Sequence, residues 1–288
     1  IPKSEIRNDE ADMTTAHPDV ELLELDLLLE GVRRRYGYDF RDYARASLLR
    51  RVRRQMAQEG VSSPTALLER VLHDPEAMQR LLLGLSVHVT AMFRDLAFYR
   101  ALRAQVVPHL KTWPFVRVWH AGCSTGEEAW SLAIVLAEEG LADRCRIYAT
   151  DMSEAALARA KEGMIPLESM REYAENYIAA GGARSFSEYY VAGGNQAAIS
   201  PALRSGIVWA QHNLVTDSSF DEFHLLLCRN VMIYFNRALQ DRVHQVLYDS
   251  LPSLGTLALG ARESLKFTVK AGCYEPIDEE QRLYRKVR

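Results

Sequence analysis

From about residue 116 onward, the chain alternates short apolar runs with longer segments whose apolar positions recur at helical spacing. Such alternation is typical of strands in a parallel sheet that is covered by helices on both faces. The apolar runs lie at 116–119, 146–150, 207–211, 224–228 and 256–260, with a closing pair near 265–269 and 282–287. We therefore predict an α/β fold with a doubly wound, mostly parallel sheet.

The earlier part of the chain shows helical spacing alone, with helices predicted at 20–35, 43–58, 64–72 and 75–85. In the second helix, Leu49, Val52 and Met56 form the predicted inward stripe. Glycine pairs and polar residues interrupt the later alternation at about 171–206, which indicates an insertion. The predicted organisation is a polar tail or linker over 1–18, a helical domain over 19–87 and an α/β domain over 88–288.

Composition agrees with an enzyme of the cytoplasm. At 288 residues, of which 48% are hydrophobic, the chain is long enough for one large and one small domain. No apolar run approaches 18 residues, so we expect no membrane insertion. The four cysteines form no CxxC pair and the eight histidines are scattered, which argues against a disulfide framework or a metal site. We expect a cytoplasmic monomer.

Charge is distributed unevenly, although the formal net charge is only −3. Between Arg33 and Arg54 there are nine arginines against two acids, Asp39 and Asp42. The arginines at 50, 51, 53 and 54 have no acid three or four positions away, so no pairing within their helix neutralises them. The segment is either a solvated basic face or a dock for an acidic partner, with nucleic acid and an acidic protein helix as candidates.

The first strand-like run of the α/β part enters a glycine turn that opens a helix with two acids. Gly122 and Gly126 allow a sharp turn and a close approach of ligand to backbone. Glu127 and Glu128 at the helix start would repel a pyrophosphate, so a dinucleotide is disfavoured. S-adenosyl-L-methionine fits better, because it carries a sulfonium and an ammonium where a nucleotide carries phosphates.

Two other interpretations of this turn stay open. It matches the G-x-S-x-G nucleophile elbow of α/β-hydrolases, with Asp217 or Asp221 and His224 or His244 as later triad candidates. A hydrolase elbow should follow several earlier strands, however, and the preceding part of the chain has helical character. The remaining alternative is a turn that only connects a strand to a helix.

The second strand-like run ends in Asp151, 29 residues after Gly122. An acid at the tip of this strand is placed to accept hydrogen bonds from two ribose hydroxyls. Asp151 could instead cap the following helix, a role that Ser153 would fill equally well. With the glycine turn before it, Asp151 favours an adenosine ligand at this edge of the sheet.

Five segments, taken together, carry a more specific signal. They are Thr90-Ala91-Met92-Phe93-Arg94-Asp95, Ala121-Gly122-Cys123-Ser124-Thr125-Gly126-Glu127-Glu128, Ala149-Thr150-Asp151, His212-Asn213-Leu214 and Cys228-Arg229-Asn230-Val231-Met232-Ile233-Tyr234-Phe235. In content, order and spacing they resemble the CheR chemotaxis-receptor methyltransferases. The resemblance implies a class I S-adenosyl-L-methionine methyltransferase fold, with an N-terminal helical domain and a small β-subdomain inserted in the catalytic domain.

The resemblance also implies a function and a set of site residues. The expected enzyme esterifies glutamates on the cytoplasmic helices of methyl-accepting chemoreceptors, which tunes sensory adaptation, and releases S-adenosyl-L-homocysteine. Arg94 and Tyr234 would be catalytic. The cofactor-binding residues would be His88, Thr90, Arg94, Gly122, Glu128, Asp151, Asn213, Leu214, Arg229 and Asn230.

Several of these residues have a simpler structural alternative. Asn213 could cap a turn, Leu214 and Tyr234 could belong to the core, and Arg229 could pair with an acid such as Asp221. Their joint position after predicted strands, where open sheets bind ligands, favours the binding site.

The chemistry expected of these residues is modest. A glutamate carboxylate is already ionised at pH 7, so its attack on a sulfonium methyl needs no general base. Arg94 is expected to hold a carboxylate, either that of the cofactor or that of the incoming glutamate. Tyr234 offers its ring or hydroxyl near the sulfonium.

The basic helix acquires a partner under the same resemblance. Acidic receptor helices need a cationic dock, and we predict that Arg50, Arg51 and Arg54 bind the substrate. A nucleic-acid methyltransferase that uses these arginines on phosphates is the main alternative, and a non-catalytic cofactor sensor is another.

Three features depart from the family pattern. His88 stands where an asparagine is usual, and Met92 where an aromatic residue is usual. The stretch 189–213 is shorter than in members whose β-subdomain grips the C-terminal pentapeptide of a receptor. We therefore expect methylation that does not depend on that tether.

Overall fold

The computed structural model describes residues 18–85, 90–266 and 268–288, which divide into two compact units. The first unit runs to Arg41 and resumes over Arg45–Gly84, and the second comprises Asp42–Ala44 and Leu85–Arg288. Within the described ranges, none of the helices combines the length and the apolarity that a membrane crossing requires.

The first unit is helical, as the spacing of its apolar residues predicts. Its helices are α1 (Pro18–Tyr36), α2 (Arg45–Glu59), α3 (Pro64–His73) and α4 (Pro75–Leu85). Ser63 caps α3, because its hydroxyl accepts a hydrogen bond from the Ala66 amide at 3.2 Å. Leu28 and Val32 of α1 and Leu67 of α3 are fully buried. Their burial removes a continuous apolar face from water.

The inward face of α2 differs from the predicted stripe. Leu48 and Val52 are buried together with Gln55, whereas Leu49 and Met56 are only half-buried. The buried face therefore lies one residue earlier than predicted, at the spacing i, i+4, i+7. Arg51 falls on this face and is 8% exposed.

Most of the basic cluster in this unit is paired with acids of α1 or of the loop before α2, and not with acids of α2 itself. Arg33 and Arg34 bind Glu30 at 2.7 Å, and Arg53 binds Glu21 at 2.5 Å. Arg45 pairs with Asp26, and Arg41 with Asp39. The local positive charge is thus smaller than the sequence count indicates. Within the described residues, Arg50 and Arg54 are exposed and form no ion pair.

The second unit alternates strands and helices. In chain order its elements are α5 (Leu96–Ala101), α6 (Val107–Leu110), β1 (Val116–Ala121), α7 (Glu127–Glu138), β2 (Cys145–Asp151), α8 (Glu154–Glu162), β3 (Met164–Pro166), α9 (Met170–Ala179), β4 (Tyr190–Gly193), β5 (Gln196–Ile199), α10 (Pro201–Arg204), β6 (Ile207–Gln211), β7 (Leu225–Cys228), α11 (Arg237–Asp249), β8 (Thr256–Leu259), β9 (Tyr274–Asp278) and β10 (Leu283–Lys286).

A seven-stranded sheet with the order β6-β2-β1-β7-β8-β10-β9 forms the centre of this unit. The first five strands are parallel, and β10 is antiparallel to both β8 and β9. The strand order reverses at β1, between β2 and β7. Open sheets bind ligands at such a switch point, beyond the carboxyl ends of the strands. The predicted doubly wound fold is confirmed.

One predicted strand is wrong. None of the described residues at 265–269 belongs to a strand, and the partner of the last strand is instead β9, at Tyr274–Asp278. Leu265 lies in a loop that follows the buried Glu263. A three-stranded antiparallel sheet, β3-β5-β4, accompanies α9 in the inserted segment. Its first strand begins at Met164, ahead of the predicted insertion.

Candidate active site

An open cavity lies in the second unit, next to the carboxyl ends of β1, β2, β6 and β7. Six of the residues predicted from sequence line it together. The full lining comprises Tyr43, Leu85, Gly122, Ser124, Asp151, Met152, His212, Asn213, Leu214, Val215, Asn230, Val231, Tyr234 and Phe235.

The turn after β1 forms one wall of this cavity. Gly122 has a φ of 74°, a conformation that glycine adopts without strain. A Cβ atom at this position would lie 2.5 Å from Cγ2 of Val231, which also lines the cavity. The Gly122 and Cys123 amides both donate to the Thr150 carbonyl, at 2.8 and 2.9 Å. The turn is therefore tied to the end of β2, and a side chain at 122 would displace Val231.

Asp151 is held by the backbone on both of its oxygens. Oδ2 accepts a hydrogen bond from the Ser124 amide and Oδ1 one from the Ser153 amide, each at 2.9 Å. Ser153 caps α8 through its own hydroxyl, which accepts from the Ala156 amide. Each carboxylate oxygen of Asp151 retains an acceptor site, because an oxygen has two lone pairs. The carboxylate can therefore accept from two adjacent hydroxyls.

The segment after β6 supplies Asn213 and Leu214. The Asn213 side-chain oxygen accepts from the Val215 amide at 3.0 Å, and its carbonyl accepts from the Asp217 amide at 2.8 Å. Asp217 in turn accepts from the Asn213 amide at 2.8 Å. Asn213 thus shapes a turn, as one sequence alternative held, and it lines the cavity as well. Leu214 is buried against the same cavity.

The loop after β7 is shaped by an acid that the sequence analysis missed. Glu263 is 4% exposed and accepts four backbone amides. Its Oε2 accepts from Gly260 at 2.6 Å and Asn230 at 2.9 Å, and its Oε1 from Val231 and Met232, each at 2.8 Å. Burial raises the pKa of Glu263, while the four amides act in the opposite direction. No motif marked this residue, which lies in an irregular stretch of the sequence.

Arg229 lies behind the cavity wall. It is 5% exposed, donates to Glu128 at 3.1 Å and to Asp95 at 2.5 Å, and stacks 3.7 Å from the centre of the Phe98 ring. The sequence alternative that Arg229 pairs with an acid is therefore confirmed, but the partners are Glu128 and Asp95 and not Asp221. A buried arginine needs such partners, because an unpaired charge is costly away from water.

The other predicted residues are less directly connected to the cavity. In the described part of the chain, Thr90, Arg94, Glu128 and Arg229 do not belong to the lining. Arg94 is exposed and Thr90 is half-buried. Their roles in binding stay predictions, as do those of the lining residues. His88 lies outside the described residues.

The charge of the lining distinguishes between ligand classes. Among the described residues that line the cavity, Asp151 supplies a carboxylate, and lysine and arginine are absent. A phosphorylated ligand would leave its charge without a cationic partner here. The aromatic rings of Tyr43, Tyr234 and Phe235 instead offer faces that attract a cation. The cavity therefore fits an adenosine compound that carries a sulfonium and an ammonium.

Two buried histidines lie near the site. His120 on β1 lies 3.6 Å from Glu128, and burial lowers its pKa. Burial therefore disfavours a positive charge on His120. His212 lines the cavity, and its Nε2 lies 3.1 Å from the Ser218 carbonyl.

Both parts of the chain match known protein families. Residues 88–276 match the family described as "CheR methyltransferase, SAM binding domain", and residues 23–86 match "CheR methyltransferase, all-alpha domain". The two matches meet at residues 86–88.

Individual relatives agree with these matches. Cher3 of Pseudomonas putida is 48% identical over 264 residues, which cover 92% of this chain and 97% of that protein. A chemotaxis protein methyltransferase of Listeria innocua is 29% identical and covers 81% of this chain and 87% of its own length. Chemotaxis protein methyltransferase 1 of Pseudomonas aeruginosa is 28% identical over 75% of this chain and 80% of that protein.

Proposed function

Because this chain belongs to the CheR methyltransferase family, we propose that it esterifies glutamate side chains on the cytoplasmic helices of methyl-accepting chemoreceptors. It is an S-adenosyl-L-methionine-dependent methyltransferase. The methyl acceptor is the proposed part of this function, and we propose a glutamate carboxylate on an acidic helix. Such an enzyme acts in the cytoplasm, and we propose that it does so as a monomer.

The observation that supports the proposal is the cavity at the switch point of the sheet. Asp151 offers two acceptor sites for ribose hydroxyls, and the amides of Asn213 and Asn230 offer polar edges for the base and the methionyl part. The lining lacks cationic side chains among its described residues, as a positively charged donor requires. These residues therefore fit S-adenosyl-L-methionine.

When bound, S-adenosyl-L-methionine supplies a methyl group that a weak nucleophile can accept. A substrate glutamate is ionised at pH 7, so the protein does not need to remove a proton. Its residues have to exclude water and align the carboxylate oxygen with the methyl carbon. We propose that Arg94 holds a carboxylate by two hydrogen bonds and that Tyr234, which lines the cavity, faces the positively charged sulfur.

A methylation assay tests this function. The chain is incubated with a radiolabelled methyl donor and receptor cytoplasmic fragments, and the labelled product is treated with base. Glutamyl methyl esters release methanol in base, whereas methylated nucleic acid does not. Label in added RNA or DNA, or no incorporation with any acceptor, would refute the proposal. The same fragments with and without a C-terminal pentapeptide should give equal KM values, because we propose that no such tether is used.

Two variants test the proposed catalytic residues. Arg94→Ala and Tyr234→Phe should fold normally and lose methyl transfer. Arg159→Ala is a matched control, since Arg159 is an exposed residue of α8. Wild-type turnover in both purified variants would remove Arg94 and Tyr234 from the catalytic role.

Substrate recognition is proposed for the exposed part of α2. Arg50 and Arg54 are exposed and form no ion pair within the described residues, so their charge is available to an acidic helix. Arg51 is buried on the inner face of the same helix, which leaves it little surface for a substrate in this conformation. The proposed dock therefore depends chiefly on Arg50 and Arg54.

A further inference from the structure

The loop that carries Arg94 contains a residue in an unusual conformation. Phe93 has a φ of 54°, which is rare for a residue with a side chain, and its ring is fully buried. The Phe93 amide donates to the Ser131 hydroxyl on α7 at 2.9 Å. A left-handed phenylalanine persists only where its surroundings hold it, and this often occurs at functional sites.

The residues on both sides of Phe93 and Arg94 are also held. The Met92 carbonyl accepts a hydrogen bond from the Asn176 side chain on α9 at 3.2 Å. The Asp95 carboxylate accepts from Arg229 at 2.5 Å. The residues before and after Arg94 are thus held by α7, α9 and the loop after β7, while the Arg94 side chain itself is exposed.

The inserted segment provides much of the socket for the Phe93 ring. The ring centre lies 5.4 Å from that of Tyr177 on α9 and 6.3 Å from that of Phe186. Tyr177 and Phe186 are 5.2 Å apart. Tyr99 of α5 contacts the ring from another side at 5.0 Å. Edge-to-face packing of this kind fixes the direction of a ring as well as burying it.

The socket is in turn fastened to the central sheet unit by a buried acid. Glu138 at the end of α7 accepts hydrogen bonds from the hydroxyls of Tyr177 and Tyr189, the latter at 2.8 Å. Arg103 pairs with the other oxygen of Glu138. The aromatic residues of the insertion therefore have little freedom to move relative to α7.

We propose that Phe93 is a positioning residue that orients Arg94, and that the inserted segment serves methyl transfer by forming its socket. This role differs from binding the C-terminal pentapeptide of a receptor. It gives the inserted segment a function in a chain that, as proposed above, does not bind that pentapeptide. The inference rests on the proposed catalytic role of Arg94.

The test compares Phe93→Leu with Phe223→Leu. Both residues are fully buried, and Phe223 lies in a separate aromatic cluster with Trp119 and Tyr148. Phe93→Leu should lower kcat roughly ten-fold, because a small misplacement of a catalytic group is sufficient for such a loss. Phe223→Leu should lose comparable stability in urea and keep its kcat. Phe186→Leu should lower kcat in the same direction from the insertion side, and it provides the test if Phe93→Leu does not fold.

A double-mutant cycle separates positioning from general damage. The cycle uses Arg94→Lys, which keeps a cation but cannot form the two-point contact with a carboxylate and so leaves a measurable rate. If Phe93 acts through Arg94, Phe93→Leu should slow Arg94→Lys much less than it slows the wild type. Independent, multiplicative losses would overturn the inference, as would wild-type kcat in Phe93→Leu and Phe186→Leu when Arg94→Ala is inactive. Wild-type kcat in Arg94→Ala would instead contradict the proposed role of Arg94 itself, so the two failures are distinguishable.

Discussion

The replacement of Glu263 by glutamine should disrupt the cavity, although Glu263 itself does not belong to the lining. The Glu263 carboxylate accepts the amides of Asn230, Val231 and Met232 and thereby shapes the loop after β7. It also accepts the amide of Gly260, where a Cβ atom would lie 2.7 Å from Oε2. Each oxygen of Glu263 accepts two amide hydrogens. These contacts favour the ionised carboxylate, because a protonated oxygen would place its own hydrogen against an amide hydrogen.

The size of the effect follows from these four contacts. In either orientation, glutamine directs an NH₂ group at two amide hydrogens, so two charge-assisted hydrogen bonds are lost. Each is worth about 1.5–3 kcal/mol. Part of this loss is offset, because glutamine is less costly to bury than a charge. We expect the free energy of unfolding to fall by about 3 kcal/mol.

Urea unfolding followed by tryptophan fluorescence measures this change. All four tryptophans lie in the second unit, so their signal reports on the unit that contains Glu263. With an m value of about 3 kcal/mol/M, the midpoint should shift by about 1 M. Calorimetric titration with S-adenosyl-L-homocysteine should show weaker binding as well, because Asn230 and Val231 line the cavity.

Glu280→Gln makes the same chemical change at an exposed position and should leave both measurements unchanged. If Glu263→Gln keeps the wild-type midpoint and the wild-type affinity, the loop does not depend on this carboxylate and the reasoning is wrong.

Three further changes should have separate effects. Gly122→Ala should weaken S-adenosyl-L-homocysteine binding at least about ten-fold in calorimetry, because the added Cβ collides with Val231 of the cavity lining and a φ of 74° strains alanine. Unchanged affinity would contradict the proposed wall. Arg50→Glu and Arg54→Glu should each raise the KM for receptor fragments and leave the affinity for the cofactor unchanged. Arg159→Glu, as the control, should alter neither quantity. An unchanged KM in both α2 variants would argue against the proposed dock. Burial lowers the pKa of His244 to about 4. Between pH 6.5 and 4 the unfolded chain therefore binds a proton at His244 that the folded chain does not. The free energy of unfolding should fall as the pH drops through this range, by about 3 kcal/mol in total. His244→Leu should flatten that part of the pH profile of the urea midpoint, and an identical profile would show that another group is responsible.

Much of the fold was predictable because its signals are local. The strand-helix alternation gave five of the parallel strands to within two residues at each end, and the Gly122 turn and Asp151 marked the edge where the cavity lies. The closing strand at 265–269 was wrong because a short apolar run does not by itself distinguish a strand from a loop, and here Leu265 is buried whereas Val269 is 86% exposed.

The error in α2 has a similar origin. Leu48 and Leu49 are adjacent, and the periodicity allows either one to begin the inward stripe. Packing against the rest of the first unit selected Leu48, and the same choice turned Arg51 inward. The basic cluster was overestimated because the count began at Arg33 and left out the acids earlier in α1. Glu30 pairs with Arg33 and Arg34 on α1 itself, and Glu21 pairs with Arg53 of α2.

By itself, the sequence determined the order of the elements, the glycine turn and the presence of the family's motifs. Each of these follows from residue types at fixed short spacing, which act on the backbone where they occur. Only the tertiary structure decided the partners of the buried groups. Arg229 meets Asp95 across 134 residues, Asn230 meets Glu263 across 33, and Phe93 meets Tyr177 on the inserted segment. Such pairs form where packing brings distant side chains out of water together, and no local pattern encodes that choice.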